Sequence, residues 1–576
     1  MAATSDVEIR ARRLALDNAR THGGTPRAGP IVARLLATDP ELRARAGEVT
    51  ESVERVIAEI AALSPEAQAT ELARLGGAEV AAARPVRAAD DLPELPGAVR
   101  GAVVLRMAPF PSGALHIGNA RMIVLNDYYR RKYDGKLLLV FDDTVGSEEK
   151  RVDAELFDVI RADLDRCGVP VDAVYYKSDR LPTHYAWAER VIALGATYVC
   201  VCPAARLQEN RRAGLACPER TQSIEETQSM WQRMLSGGFA PGEAVLRLKT
   251  DLQGPDPAFR DRVLFRISDL DHPRVGHKWR VWPLLEFSWA VDDIELGVTH
   301  VLRGKDLVIE DRMQRHIWDL LGIRGPPFVH WGLLRVREAK ISKSKSYAEV
   351  KGGLYDGWAD PRTWSLASLD RRGISMESVR SFTMSFGLSL ADIEVPAETL
   401  YAENRVRIDP IAKRRMYIDD PVDVVVDGFP ADLVSVDLPN HPDRPELGTR
   451  AVPAGGRFYL PRADLVAHPG TTVRLKDLAN IDLPAEIPAS GSGPVHAVFA
   501  GRENRRVPRL QWAGHVGAAP VDVLDLEGRH RVGIAEAALR SARPGDLLQF
   551  ERFGFVRVES DWAADTAPVR VCYGHP

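Results

Sequence analysis

The spacing of apolar positions changes along the chain, and each change marks a new kind of element. From Met1 to about Gly77 the pattern is helical: Val53, Val56, Ile57, Ile60 and Leu63 share one face, and Ser64 with Pro65 reads as an N-cap followed by a first-turn proline. Residues 1–81 are expected to form a helical N-terminal extension. Residues 82–98, with Pro85, Pro93 and Pro96 among charges and alanines, read as a linker. An apolar run from Ala102 to Met107 then predicts a buried strand, and Pro109 to Asn119 a tight loop. Ala120, Ile123, Val124 and Tyr128 predict a helix closed by Gly135, and Leu137 to Phe141 the next strand.

The alternation continues with a helix carrying Leu156, Val159, Ile160 and Leu164, stopped by Gly168. A strand at Val174 to Tyr176 and a helix at Tyr185 to Leu194 follow. Such alternation argues for a doubly wound parallel sheet in an α/β domain over 99–345. It is interrupted at about 199–273 by an insertion. It resumes at Trp282, with Ile294 to Arg303 read as a strand and Met313, Ile317, Leu320 and Leu321 as a helix. Residues 346–418 read as a helical connecting domain. From 419 to 576 short runs such as Val422, Val424 and Val426, Val495 to Phe499 and Phe553 to Val558, separated by Pro and Gly turns, predict β-barrel domains.

Composition adds little to this picture. The 576 residues are 45% hydrophobic and 27% charged, ordinary for globular domains, and the net charge of -4 excludes a uniformly basic nucleic-acid binder while leaving local basic surfaces open. No apolar run approaches a membrane span and the N-terminus has no signal-peptide core, so a cytoplasmic protein without membrane contact is expected. Five cysteines suggest reduced thiols. Cys200, Cys202 and Cys217 cluster, one thiol short of a tetrahedral zinc site, with Glu219 a poor fourth ligand. Zinc and metal-free thiols both remain open readings.

Two stretches carry chemistry. In the first, Pro109 to Asn119, the loop opens at the carboxyl end of a strand, where a helix N-terminus offers N–H groups to a phosphate. His116 and Asn119 add side-chain donors, or else serve as helix caps. The second, Lys340-Ile341-Ser342-Lys343-Ser344-Lys345-Ser346, alternates lysines with small hydroxyl residues and reads as an exposed, mobile loop suited to a triphosphate. Arginine clusters at Arg405, Arg407 and Arg414, and at Arg505 and Arg506, could hold an RNA backbone or be solvated faces.

The pair His116-Ile117-Gly118-Asn119 and Lys340-Ile341-Ser342-Lys343-Ser344 resembles the two nucleotide motifs of class I aminoacyl-tRNA synthetases. Arg106-Met107-Ala108-Pro109, Phe141-Asp142-Asp143-Thr144, Val291-Asp292-Asp293 and His300 to Lys305 resemble the archaeal-type glutamyl-tRNA synthetases in particular. That resemblance implies a Rossmann-like catalytic domain, a helical N-terminal extension and β-barrel anticodon-binding domains. It implies ATP and Mg²⁺, with glutamate and a glutamate-accepting tRNA as substrates joined through an aminoacyl adenylate. Pro109, Gly113, His116, Gly118, Asn119 and Lys343 would bind ATP; His116, Asn119, Lys340, Lys343 and Ser344 would serve the reaction. Arg106, Asp142 and Arg303 would contact the amino acid.

Three positions in the same pocket depart from the family: Phe110 replaces a small polar residue, Leu285 a tyrosine, and Trp289 lies near the substrate. Val140 and Val145 replace an Arg and an Asp, so the pocket is bulkier and less polar. The leading expectation is glutamate activation, because both arginines survive and an anionic partner justifies their retention. A paralogue activating another amino acid and a non-catalytic tRNA-binding protein are the alternatives.

Overall fold

The computed structural model describes residues 2–21, 26, 28–29, 31–32, 35, 42, 46–74, 92–145, 151–339, 343–487, 493–562 and 567–576. Two compact units result, Met1–Asp91 and Leu92–Pro576. In the first, helices Ala2–Thr21, Ala46–Ala61 and Pro65–Arg74 bury Ala11, Ala15, Leu16, Val53, Val56 and Ile60. The Ser64 hydroxyl accepts the Ala67 N–H at 3.2 Å, the cap expected from its place before Pro65. Residues 75–91, the end of the extension and 82–91 of the linker, lie outside the described residues.

The second unit begins with a parallel sheet. Strand β1 (Val104–Met107) pairs with β2 (Lys136–Phe141), which pairs with β3 (Ala173–Tyr176). The β1–β2 crossover helix, Ala120–Lys132, buries Ala120, Ile123, Val124 and Tyr129 against the sheet. It ends at Gly135, where a Cβ would lie 2.6 Å from Val103 O, so only glycine lets the chain turn back this tightly. The insertion is an antiparallel sheet of β4 (Thr197–Cys200), β5 (Val245–Leu248), β6 (Val263–Ile267) and β7 (Val281–Pro283), covered by helices Ala204–Ala213 and Ile224–Leu235.

After β7 the structure departs from the expected pattern. Ile294 and Glu295 close a helix, Leu285–Glu295, and only Val301–Gly304 forms the strand β8. Phe287, Ala290, Val291 and Ile294 follow helical spacing, and Gly297 at φ 66° ends that helix, which accounts for the misread run. Strand β8 enters beside β1, with Val104 N–H donating to Thr299 Oγ1 at 2.9 Å, and pairs with β9 (Phe328–Trp331) in parallel. The histidine loop and the end of β8 therefore open on the same edge.

Helices Leu366–Arg371, Met376–Met384 and Ala397–Ile408 follow, with Ile393–Val395 between the last two pairing in parallel with Leu334–Val336, and the strands of the β region start at Lys413, ahead of the expected 419. Two seven-stranded sheets complete the chain. One is built around Val424, Phe458, Leu460 and Trp512. The other, which takes in Lys413–Arg415 and Tyr417–Asp419, is built around Val521, Phe550 and Val571. Trp512 is fully buried, packs edge-on against Phe458 and donates its indole N–H to Lys476 O at 2.9 Å. Trp512→Ala should cost about 3–5 kcal/mol in that domain. Its unfolding, followed by circular dichroism in urea, should shift to lower denaturant, while tryptophan fluorescence, which in this variant reports the other domains, keeps its midpoint.

Candidate functional site

The histidine loop is shaped by local bonds and by a distant segment. The His116 backbone is extended at φ -125° and caps the short turn Ile117–Asn119. Its Nδ1 accepts the Gly118 N–H at 3.1 Å, and Asn119 Oδ1 accepts the His116 N–H at 3.2 Å. Because Nδ1 is an acceptor, the neutral ring carries its proton on Nε2. The capping reading of both residues is thus realised, and it fixes the imidazole ring at the loop's mouth. Asp142 N–H donates to Pro109 O at 3.1 Å, fastening the start of the loop to the end of β2.

Across the loop, Ile117 N–H donates to Trp364 O at 3.2 Å and Leu366 N–H to Leu115 O at 2.8 Å, a strand-like bridge to the connecting helices. Pro109 and Gly113 are buried, whereas Phe110, Gly118 and Asn119 are half-buried.

Lys340, Ile341 and Ser342 lie outside the described residues. Lys343 and Ser344 open a helix, Lys343–Lys351, where an exposed loop was expected. The reason is packing: Tyr347 and Val350 sit against a small core of Ala114, Leu156 and Trp358, and Tyr347 Oη donates to Asp153 Oδ2 at 2.8 Å. Ala114 belongs to the histidine loop, so the helix that Lys343 and Ser344 open packs against that loop through Tyr347 and Val350.

The amino-acid-like residues converge on one indole. Trp289, 5% exposed, has Arg106 Cζ 5.0 Å, Lys177 Nζ 5.1 Å and Arg303 Cζ 4.9 Å from its ring centroid. Each cation is held by a carboxylate. Arg106 Nε and Nη2 donate to Asp293 Oδ1 and Oδ2 at 2.8 and 3.1 Å. Arg303 Nε donates to Asp311 Oδ1 at 2.7 Å and its Nη2 to Gln314 Oε1 at 2.7 Å. Lys177 lies 3.0 Å from Asp142 Oδ1 and donates to Ser288 Oγ at 2.7 Å. Burial, with Arg106 nearby, pulls Arg303 down to about 10, so it stays charged at neutral pH.

Sequence reasoning missed Lys177, whose ammonium is fully buried; a single lysine after a strand carries no periodic signal. Leu285 starts the helix that carries Trp289. Val145 packs with Leu181 and Trp282 in an apolar wall. Asp143 is structural, accepting Ser178 N–H at 2.9 Å and Ser178 Oγ–H at 2.7 Å.

The basic clusters are not alike. Arg405 pairs with Glu398 at 3.0 Å, Arg407 with Glu403 at 3.3 Å and Arg414 with Asp409 at 2.7 Å, around the last connecting helix. Arg505 and Arg506 are exposed on a loop of the first β sheet, Arg505 beside Glu503.

In the insertion, Cys200, Cys202 and Cys217 sulfurs and a Glu219 oxygen lie within 4.8 Å of one another, a donor set that fits a tetrahedral zinc ion. Burial pushes the Cys200 and Cys202 thiols up. Burial acts on Cys217 too but is outweighed there by Asn210 at 3.5 Å and Arg247 at 3.0 Å, which hold its thiol below the usual range.

A parallel α/β sheet with a Pro/Gly-rich loop at its carboxyl edge, a helix packed against that loop, and three buried cations around one indole are the features of a nucleotide-dependent α/β catalytic domain. Residues 102–409 match the family model "tRNA synthetases class I (E and Q), catalytic domain", and 412–500 match its anti-codon binding domain. The chain is 38% identical over 563 residues to the glutamate–tRNA ligase of Pyrococcus abyssi, covering 96% of this chain and 97% of that protein. The corresponding ligase of Thermococcus kodakarensis is 39% identical over 558 residues, 95% of this chain and 96% of the relative. That of Methanothermobacter thermautotrophicus is 39% identical over 557 residues, 96% and 97%. The chain belongs to the class I tRNA synthetases of the glutamate and glutamine group.

Beside the pocket, Asp292 Oδ1 receives Arg180 Nε at 2.7 Å and lies 3.1 Å from His184 Nε2. Burial alone would raise this carboxyl, but His184, Lys177 and Arg180 hold it at about 2. A folded value below the unfolded one stabilises the protein above about pH 4 and loses that stabilisation as pH falls toward 2, a contribution on the order of 2 kcal/mol. Asp292→Asn should therefore lower the urea midpoint at neutral pH and flatten its decline between about pH 4 and pH 2 relative to the unaltered chain, as read by equilibrium unfolding at each pH.

Proposed function

We propose that this protein is a glutamate–tRNA ligase: it activates glutamate with ATP and transfers it to tRNA. The observation that carries this reading is the near-full-length relationship to glutamate–tRNA ligases combined with retention of Arg106 and Arg303 at the ends of β1 and β8. Both guanidiniums are buried against one indole, an environment that suits recognition of a dicarboxylate.

In the first step the α-carboxylate of glutamate attacks the α-phosphate of ATP and pyrophosphate leaves. In the second, a ribose hydroxyl at the tRNA terminus takes the acyl group and AMP leaves. The chain's part is positioning and charge neutralisation. His116 and Asn119, with the loop from Pro109 through Gly113 and Gly118, would cradle the nucleotide. Lys343, with Lys340 and Ser344, would neutralise the leaving pyrophosphate.

Mg²⁺ bound to the ATP would neutralise phosphate oxygens. Arg106 and Arg303 would face the glutamate carboxylates, and Asp142 its ammonium, with Lys177 setting the orientation of Asp142. A zinc ion on Cys200, Cys202, Cys217 and Glu219 would be structural, tying β4 to the turn after the first insertion helix. The arginines of the β region, Arg505 and Arg506 foremost, would meet tRNA phosphates. A cytoplasmic location fits this role, and among the described residues no helix is long and apolar enough to cross a membrane.

The test is ATP–pyrophosphate exchange by the full chain with tRNA present, across a panel of amino acids. Exchange should depend on glutamate. A response to a different amino acid and none to glutamate would overturn the substrate assignment and point to the bulky residues Phe110, Leu285 and Trp289 as its cause. Lys343→Ala should lower the exchange rate about 100-fold or more while tRNA affinity changes by less than about threefold.

A further inference from the structure

The amide of Leu115, one residue before His116, donates to Asp163 Oδ2 at 3.0 Å. Asp163 lies on the helix Glu155–Arg166 and is fully buried. Its other oxygen, Oδ1, accepts from Arg166 Nη1 at 2.8 Å. Arg166 continues the line, with Nε 3.3 Å from Asp370 Oδ2 in the connecting helix Leu366–Arg371. Arg557, on the strand Gly554–Val558 of the last β sheet, reaches the same aspartate: Nη1 donates to Asp370 O at 2.8 Å and lies 3.4 Å from Oδ1. Beside it Arg371 Nε pairs with Glu559 Oε1 at 2.5 Å. A continuous path of hydrogen bonds and ion pairs thus runs from the far β sheet to the nucleotide loop.

We propose that Asp163 is a positioning residue for the nucleotide loop, and that Arg166, Asp370 and Arg557 extend its hold to the C-terminal β domain. The proposal rests on reading that loop as the ATP site. Asp163 touches no reacting group. It fixes the height of the Leu115 peptide, which together with the Leu366 bond on the other side of the same residue sets where His116 projects. A carboxylate does this better than a neutral acceptor, because charge strengthens the bond to the amide and holds Arg166 in line.

The charge is also conditional. Burial pushes Asp163 up to about 7, with the Leu115 amide and Arg166 opposing. The groups facing it are Arg166 on its own helix and, beyond Arg166, Asp370. The neighbouring Cys167 thiol, raised to about 12 chiefly by its own burial, stays neutral, and Asp127 and Arg380 act on Cys167 from the far side. Protonation of Asp163 near neutrality loosens the loop, so the exchange rate should fall as pH drops through that range.

Exchange kinetics on the full chain from about pH 5.5 to about pH 8.5 test this, with Asp163→Asn, Arg166→Gln and Arg557→Gln. Asp163→Asn should lower kcat about 10- to 100-fold and raise the ATP KM about threefold or more, leave the glutamate KM unchanged, and remove the acid limb that Asp163 contributes. Arg166→Gln should move that limb to higher pH, because the carboxyl has lost its cation; if Asp163→Asn does not fold, this shift alone decides, and an unmoved limb overturns the proposal. Arg557→Gln should lower kcat several-fold with tRNA affinity intact, and its effect should vanish in the Asp163→Asn background. Multiplicative effects would overturn the link to the β domain, and an unchanged kcat and pH profile in Asp163→Asn would overturn the positioning role. If the unaltered chain shows no glutamate-dependent exchange, the proposed function fails first. Asp163 is then judged by ATP affinity from calorimetry, which Asp163→Asn should weaken about threefold or more and which, if unchanged, counts against it.

Discussion

The site depends on a strand-like bridge between Leu115–Ile117 and Trp364–Leu366. A loop rich in Pro and Gly has no ladder of its own, so its shape must come from outside. Two backbone bonds to the connecting region provide it, one on each side of His116. Trp364 makes the bridge while holding φ at 53°, a conformation that costs a bulky residue about 1–3 kcal/mol and persists only where packing over-determines it. That packing is present: Arg372 lies 4.7 Å from the Trp364 ring and donates to Tyr401 Oη and Gly574 O, at 2.8 and 2.9 Å. The nucleotide loop is therefore built by the catalytic sheet, the connecting helices and the C-terminal strand together, and a catalytic fragment cut before Trp364 would lack half of its scaffold.

The same economy governs charge around Trp289. Three buried cations would be prohibitive without partners, and Asp293, Asp142 and Asp311 supply one each. The set is fixed before any substrate arrives. Preorganised charges act on a substrate without reorganising, which is the main way a protein lowers the barrier of a phosphoryl or acyl transfer. The buried Trp289 indole excludes water from these pairs and lowers the local dielectric around them. That strengthens each remaining interaction with the substrate and makes each unpaired group more costly.

Much of this was legible in the sequence, for identifiable reasons. The β1–β2–β3 alternation and the helix after the histidine loop were visible because apolar periodicity is strong where one face is buried. His116 and Asn119 were visible because capping and anion binding use the same residue types at a helix start. The helix Leu285–Glu295 was half misread because it is buried nearly all round, and a continuous apolar run does not distinguish strand from helix. The helix from Lys343 was hidden because it is set by a contact of Tyr347 and Val350 with Ala114 and Trp358 that no local pattern announces. Lys177 and Asp163 were invisible for the same reason: each is one charged residue whose role comes entirely from partners far along the chain.

The arginine clusters differ in how their charge is held. Arg405, Arg407 and Arg414 are each paired with a carboxylate of their own neighbourhood, and Arg407 also donates to Ser381 Oγ at 2.5 Å. An arginine already paired gains little on meeting a phosphate, since it gives up one partner for another and releases fewer counterions. Arg505 and Arg506 lie exposed on the loop before the strand Arg509–Leu510, where long side chains can follow a flexible backbone. On the proposed reading, salt-sensitive tRNA affinity is strongest there, and Arg405 also ties the helix Ala397–Ile408 to Pro576 O at 3.1 Å.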